Sequence, residues 1–329
     1  MADQARGNRV QIILATESTY GTSPSPFNGG LLRWTFPETL SQETRPEVSD
    51  EVTTDRMRMQ SVDMNFRPNG DINGRLHVSG AITTLLRHLM GTVATSGSGP
   101  FTHVFTPAAA LPAGMTMEKG LLDLGIYYRF LGCKVNSMNF TLTQEGAQRC
   151  SANILAKQVS DPAAVSLDSS PEASTAEDFE GGRGACYIGT YGQAGSLIAS
   201  ARSANLTISN DLDPEGFAVS GVKSTARQRL DAHEGWADCT GSLTLRFESN
   251  TEYNKFLAGT PVSFTWKMTD SSGYYIEIYL PRIKYGGRPT PQADQNKGLI
   301  HTVEFQAEKD NTLGYSHRIT VYNNDSAIS

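Results

Sequence analysis

The sequence has no apolar stretch of transmembrane length, no run of lysines and arginines, and only four cysteines in 329 residues. Each scarcity excludes something. A helix that crosses a bilayer needs about 20 consecutive apolar residues, so no membrane-spanning helix is expected. A tight reader of DNA or RNA needs a basic surface; this chain carries a formal net charge of −6, which disfavours that role. The opening residues MADQARGNRV lack the apolar segment of a secretory signal, so folding in a cytoplasm is expected. Cys133, Cys150, Cys186 and Cys239 form no CxxC and no zinc-finger spacing, which predicts reduced, buried thiols.

Catalytic signatures are equally scarce. No G-x-S-x-G, H-E-x-x-H or Walker A pattern occurs. The glycine-rich GTYGQAGS at 189–196 does not match a dinucleotide fingerprint and reads as a connecting turn. DAHEGWADC gathers Asp231, His233, Glu234, Asp238 and Cys239, but the spacing fits no common zinc or iron set and reads as a polar loop. His77, His88, His103, His301 and His317 are scattered, with no Ser or Cys partner nearby in sequence. No enzyme, cofactor or metal is expected.

What the chain has is alternation. Apolar residues make up 38% of it, enough for a core, and glycine is frequent at 31. Runs such as Leu32-Trp34-Phe36, Leu76-Val78, Met138-Phe140-Leu142, Leu206-Ile208, Leu243-Leu245-Phe247, Val262-Phe264-Trp266, Ile276-Ile278-Leu280, Val303-Phe305-Ala307 and Ile319-Val321 place apolar residues at every second position. That period means strands with one face buried and one polar. Asn69-Gly70 and Asn73-Gly74 read as turns. Helical spacing occurs twice: SGAITTLLRHLMG, with Ser79 as N-cap and Gly91 as stop, and SNTEYNKFLAG, with Asn250 as cap and Gly259 as stop. The predicted class is all-β with two short helices.

The two helices superimpose without a gap, Thr83 on Thr251, Leu89 on Leu257 and Gly91 on Gly259. Each follows a glycine-opened strand, at Gly74 and Gly241, and each precedes a hairpin that ends in lysine, at Lys157 and Lys309. This order predicts a duplication: one copy over 1–157, a Ser/Ala/Pro-rich acidic linker over 158–183, and a second copy over 184–329. Each copy also holds a long polar segment of mixed charge, at 41–66 and 213–238. Loops this long inside a compact domain are uncommon and often functional. Glu43, Arg45, Glu47, Asp55, Arg56 and Arg58 in the first, and Asp213, Glu215, Arg227 and Arg229 in the second, are the residues expected to meet a partner. Lys223 belongs to the second segment as well.

Three stretches resemble the tail tube (major tail) proteins of long, non-contractile-tailed bacteriophages: ATESTYGTSPSP, FTHVFTPAAALPAGMTMEKG and GCKVNSMNFTLTQEGAQRCSANILAK. The likeness is clearest over 10–157. It implies tandem β-sandwich or barrel domains, each with a flanking helix. It further implies subunits that form rings, and stacked rings that make the channel for genome ejection. At this length it fits members with two fused tube domains, three chains giving a pseudo-sixfold ring. The implied partners are further copies of itself, the tape measure, tail terminator and distal tail proteins, and genomic DNA passing without specific binding, with no membrane. The implied location is the virion tail, after assembly in the host cytoplasm. The mixed-charge arms would bind the ring above. Glu277 and Glu304, each between two core-facing apolar neighbours, are expected to line an electronegative lumen. A carbohydrate-binding or adhesive β-sandwich is the alternative.

Overall fold

The computed structural model of the chain describes residues 4–192, 195–198, 200–219, 227–287, 290–291 and 298–328. The N-terminal half contains β1 (Val10–Thr16), β2 (Gly30–Leu31), β3 (Trp34–Glu38), β4 (Ser41–Glu43), β5 (Arg67–Arg75), β6 (Gly91–Ser96), β7 (Phe101–Pro107), β8 (Met115–Leu121), β9 (Ile126–Thr143) and β10 (Arg149–Leu155). Two short strands follow, β11 (Gln158–Val159) and β12 (Glu172–Ala173). The C-terminal half contains β13 (Gly184–Thr190), β14 (Ser196–Leu197), β15 (Ala201–Ser209), β16 (Asp238–Arg246), β17 (Val262–Thr269), β18 (Tyr275–Gly286), β19 (Ile300–Ala307) and β20 (Arg318–Asn323). The helices are α1 (Ala81–Met90) and α2 (Thr251–Ala258). The fold is all-β with two short helices, and its sheet is open, with no closed barrel among the described residues.

Hydrogen-bonded neighbours run β2-β1-β8-β9-β10-β5 in the N-terminal half, with β3 and β4 end to end along β5. In the C-terminal half they run β14-β13-β17-β18-β19-β16-β15, the same order. The long strands β9 and β18 generate two layers in each half. β9 pairs with β8 over 126–133 and with β10 over 134–141. β18 pairs with β17 over 275–283 and with β19 over 283–286. The register slips between Met115 and Met117 in β8 and between Val262 and Phe264 in β17. Such an extra residue bends a strand pair, which lets each long strand leave one layer for the other.

The halves join edge to edge. β9 pairs with β15 from Thr143↔Ser203 to Ser137↔Ser209, and β7 pairs with β20 from Phe105↔Ile319 to Phe101↔Asn323. Buried apolar side chains of both halves form one cluster, from Ile12 and Phe140 to Leu206 and Val321. At the seam Asn210, nearly fully buried, donates through Nδ2 to the carbonyls of Leu89 and Val135, both at 2.9 Å. Residues 158–183 are strapped to the N-terminal half. Phe179 is fully buried, its N–H donates to Leu76 and its carbonyl accepts from Gln148. Asp178 pairs with Arg33 at 2.6 Å and Arg75 at 3.1 Å.

Three local expectations change. Asn69-Gly70 and Asn73-Gly74 lie inside β5, not in turns. A Cβ on Gly70 would stand 2.4 Å from the Leu40 Cα, so the glycine admits a crossing backbone. Ser79 does not cap α1; the capping position is Gly80, and the Ser79 hydroxyl bonds to Ser174 at 2.7 Å. Asn250 does occupy the capping position of α2, but its side chain makes no capping hydrogen bond. Gly91 and Gly259 end their helices at positive φ, as the stop reading requires.

Candidate assembly surfaces

Cross-strand register assembles the polar halves of the alternating runs into one surface. Residues directly opposite in a sheet share a face. One row therefore crosses eight strands: Thr35, Asn73, Ser151, Asn139, Thr207, Thr240, Gln306 and Lys284. The row beside it reads Arg75, Arg149, Thr141, Asn205, Ser242, Glu304 and Gly286. Flanking rows are Asp71, Asn153, Ser137, Ser209, Asp238 on one side and Thr143, Ser203, Thr244, Thr302 on the other. Beneath them Ile72, Met138, Phe140, Leu206, Leu243 and Phe305 point into the core. The surface is hollowed by depressions of about 780 Å³ and 680 Å³. Along these rows the acids Asp71, Asp238 and Glu304 are interspersed with Arg75, Arg149 and Lys284, and Glu308, which lines the second depression, pairs with Lys284 at 3.2 Å. Hydroxyls and amides dominate the surface. NSMNFTLT, SANLTIS and TGSLTLR spell these side chains at every second position, the polar half of the alternation.

Glu277 and Glu304 do not share this surface. Glu304 is on it, opposite Ser242 and Gly286. Glu277 lies on the earlier part of β18, opposite Lys267 and Thr320, and pairs with Arg318 at 3.2 Å. Alternation correctly turned both away from the core. It could not tell which of two layers each strand segment belongs to, because β18 passes from one layer to the other.

Among the described residues the layer that carries this surface ends in two open edges. β15 is flanked by β16 and β9, whereas β3, the strand in the corresponding place, pairs only with β5 among the described residues. Likewise β9 carries β10 on one side and β15 on the other, whereas residues 284–286 of β18 carry only β19 among the described residues. An unpaired edge is a row of unsatisfied backbone groups that templates another chain.

The two polar segments form neighbouring arms rooted in each other. The first is tied across itself by backbone bonds between Glu47 and Val62. Glu43, Arg45, Glu47, Asp55, Arg56 and Arg58 are all exposed along it, with Arg45 2.6 Å from Glu43. The Met57 N–H and the Thr53 hydroxyl hold the Asp55 carboxyl below its usual range. Val52, Met57 and Val62 stand among these charges and are exposed. In the second arm Asp213 accepts from the Glu215 N–H, and Glu215 pairs with Arg67 at 2.8 Å. Arg227 donates to the Met64 carbonyl and Thr44, pairs with Asp63 at 3.4 Å, and lies over the Phe66 ring. Arg229 is 1% exposed and bonds the carbonyls of Ala156 and Pro214. So Arg227 and Arg229 face the chain itself, and Glu215 is engaged from within it. Residues 220–226, Lys223 included, lie outside the described residues.

The other polar stretches have structural roles. Lys134 is nearly buried and reaches Asp231 and Glu234, each at 3.2 Å, which ties the second arm to β9. Among the described residues no His, Cys, Asp and Glu group has metal-site geometry. Gln193 and Ala194 of the glycine-rich turn lie outside the described residues. All four cysteines are free and buried, and burial raises Cys150, Cys186 and Cys239 to about 12. Burial pushes His88 down to about 3 and His317 to about 4, so both are neutral in the fold.

ATESTYGT, one of the stretches carrying the resemblance, builds the turn after β1. The buried Glu17 carboxylate accepts from the Gly21 N–H at 2.6 Å, the Thr116 hydroxyl at 2.8 Å and the Gly132 N–H at 2.9 Å. Tyr20 lies between Lys134 and Lys157, and a Cβ on Gly132 would strike its ring at 2.9 Å.

An open-edged β protein with a face rich in hydroxyls and amides and with projecting arms belongs to the class that works by assembly. The family model described as phage tail tube protein matches residues 7–307, and the chain belongs to that family. It is a structural family of the virion tail and not a known enzyme class. No curated protein matches the chain. Among the described residues no helix is long and apolar enough to cross a membrane.

Proposed function

We propose that the chain is two fused tube domains, 1–157 and 184–329 joined by 158–183, and that three chains close a ring of pseudo-sixfold symmetry. The seam between β9 and β15 carries this reading. It joins the last strand of one four-strand set to the first strand of the next. Among the described residues the same two elements are left open, residues 284–286 of β18 and the outer side of β3. Repeating the internal seam between chains, β18 of one to β3 of the next, satisfies both edges and gives six similar seams around three chains.

The hydroxyl and amide face then lines the lumen. A wall dominated by hydroxyls and amides, with acids interspersed among its few bases, offers a polyanion no continuous basic track to bind. Glu304 belongs to that wall, and Glu277 to the opposite layer. The exposed arm residues Glu43, Arg45, Glu47, Asp55, Arg56 and Arg58, with Val52 and Met57, meet the next ring, while Arg227 and Arg229 brace the arm roots. Stacked rings form the conduit for the genome, ended by terminator and distal tail proteins and filled before ejection by the tape measure protein.

Electron microscopy of the purified, concentrated chain tests this. Rings or tubes with three chains per ring are expected. Six chains per ring would refute the trimer and leave the tube, and dispersed monomers at all concentrations would refute both.

A further inference from the structure

The two helices sit at corresponding places in the strand order, yet their surroundings differ. In α1, Leu85, Leu86 and Leu89 are all at most 2% exposed. The C-terminal half helps to cover that region: Asn210 caps the Leu89 carbonyl, Asn323 donates to the Val78 carbonyl at 2.6 Å, and Arg87 reaches the Ile328 carbonyl. The hairpin of β6 and β7, directly after α1, docks on β20 of the other half. α2 has no fully buried residue, and Leu257, which aligns with Leu89, is 64% exposed. Tyr253 and Phe256, both half-buried, share the side of α2 that carries Leu257, and among the described residues no hairpin follows α2 as β6 and β7 follow α1.

The N-terminal half has the complementary gap. β11 pairs with β9 on the side where β20 pairs with β18. Beside β20 lies the hairpin that follows α1; beside β11 lies instead a groove of about 520 Å³. Leu40, Leu121, Tyr128, Phe130, Val159 and Pro162 line it.

We infer that the Tyr253, Phe256 and Leu257 face of α2 docks into this groove on the N-terminal half of the next chain in the ring. The occupant is a second copy because the internal seam already places a helix-bearing half against a β20-bearing half, and the ring repeats that seam between chains. The inference rests on the ring reading above. It adds an apolar anchor outside the wall to the backbone pairing of β18 with β3.

The test is Leu257→Asp in the full chain, with Leu197→Asp, also at an exposed leucine, as control. Because Leu257 is largely exposed in the single chain, the variant should keep the wild-type circular dichroism and melting temperature. It should stay monomeric at concentrations where the wild type and the control form rings. A Leu257→Asp chain that assembles like the wild type overturns the inference and leaves the ring standing. A wild type that never assembles overturns both. Location is read by oxidising chains that carry Leu257→Cys with Ser41→Cys or Ser160→Cys, at the groove. The native cysteines are all buried, so the background is low. Covalent ladders ending at three chains support the groove; assembled rings that give no ladder with either pair overturn it.

Discussion

Glu17→Gln is a sharp test of how a family-like stretch acts in this fold. The carboxylate is 3% exposed and takes three donors: Gly21 N–H on Oε2, and Thr116 hydroxyl and Gly132 N–H on Oε1. Glutamine keeps one carbonyl oxygen for Thr116 and Gly132. Its NH2 then faces the Gly21 N–H, donor against donor, at a site that water does not reach. Losing one charge-assisted bond and leaving a buried donor unmatched costs about 2–4 kcal/mol. For a chain of this size each kcal/mol is roughly 2 °C of melting temperature, so a fall of about 4–8 °C is expected in a thermal melt. Thr116→Val removes one donor and leaves the carboxylate its other two, so its fall should be smaller. The turn also leads from β1 into β2 and on to the open edge strand β3, so ring formation should need a higher concentration of the glutamine variant. A melting temperature within 1 °C of wild type, against this expectation of about 4–8 °C, would refute the reasoning, because it would mean that the buried carboxylate supports nothing.

Deleting residues 45–58 removes most of the exposed charge and the Val52 and Met57 side chains from the first arm, but spares Arg67, Arg227 and Arg229 at the roots. Micrographs should show rings without long tubes, and tubes of normal length would remove the arm from stacking. Acid should destabilise the chain through its buried histidines. His88 and His317 stay neutral in the fold down to about 3 and about 4, while in the unfolded chain they take up a proton below about 6.5. Their contribution is therefore complete above pH 6.5 and is lost as pH falls toward the folded values, by about 1.4 kcal/mol per pH unit for each. Melts between pH 7.5 and 4.5 should show the loss, and His88→Gln should flatten it; an unchanged slope would mean that His88 is not the group responsible. Glu304→Lys should slow genome release more than Glu277→Lys in a phage infection assay. Equal effects would argue against the wall assigned to the lumen.

The strands were legible in the sequence because apolar residues at every second position leave the backbone little choice, and Met138, Phe140, Leu206 and Phe305 all face the core as their period requires. The helices were legible from their spacing and terminal glycines. The order of elements in the two halves was also visible, since Gly74 and Gly241 lie in corresponding strands, although neither opens its strand, which begins at Arg67 in β5 and at Asp238 in β16, and Gly70 serves a crossing backbone and not a turn. Other features needed the tertiary structure. Arg229 looked like one more charge on a solvated arm, and only folding showed its guanidinium buried against the Ala156 and Pro214 carbonyls. Glu277 and Glu304 have the same local pattern yet lie in different layers. Alternation is a property of one strand and fixes which residues leave the core. Which surface they reach depends on the bulges that bend β9 and β18 and on the strands that pair beside them, and those partners are distant in sequence.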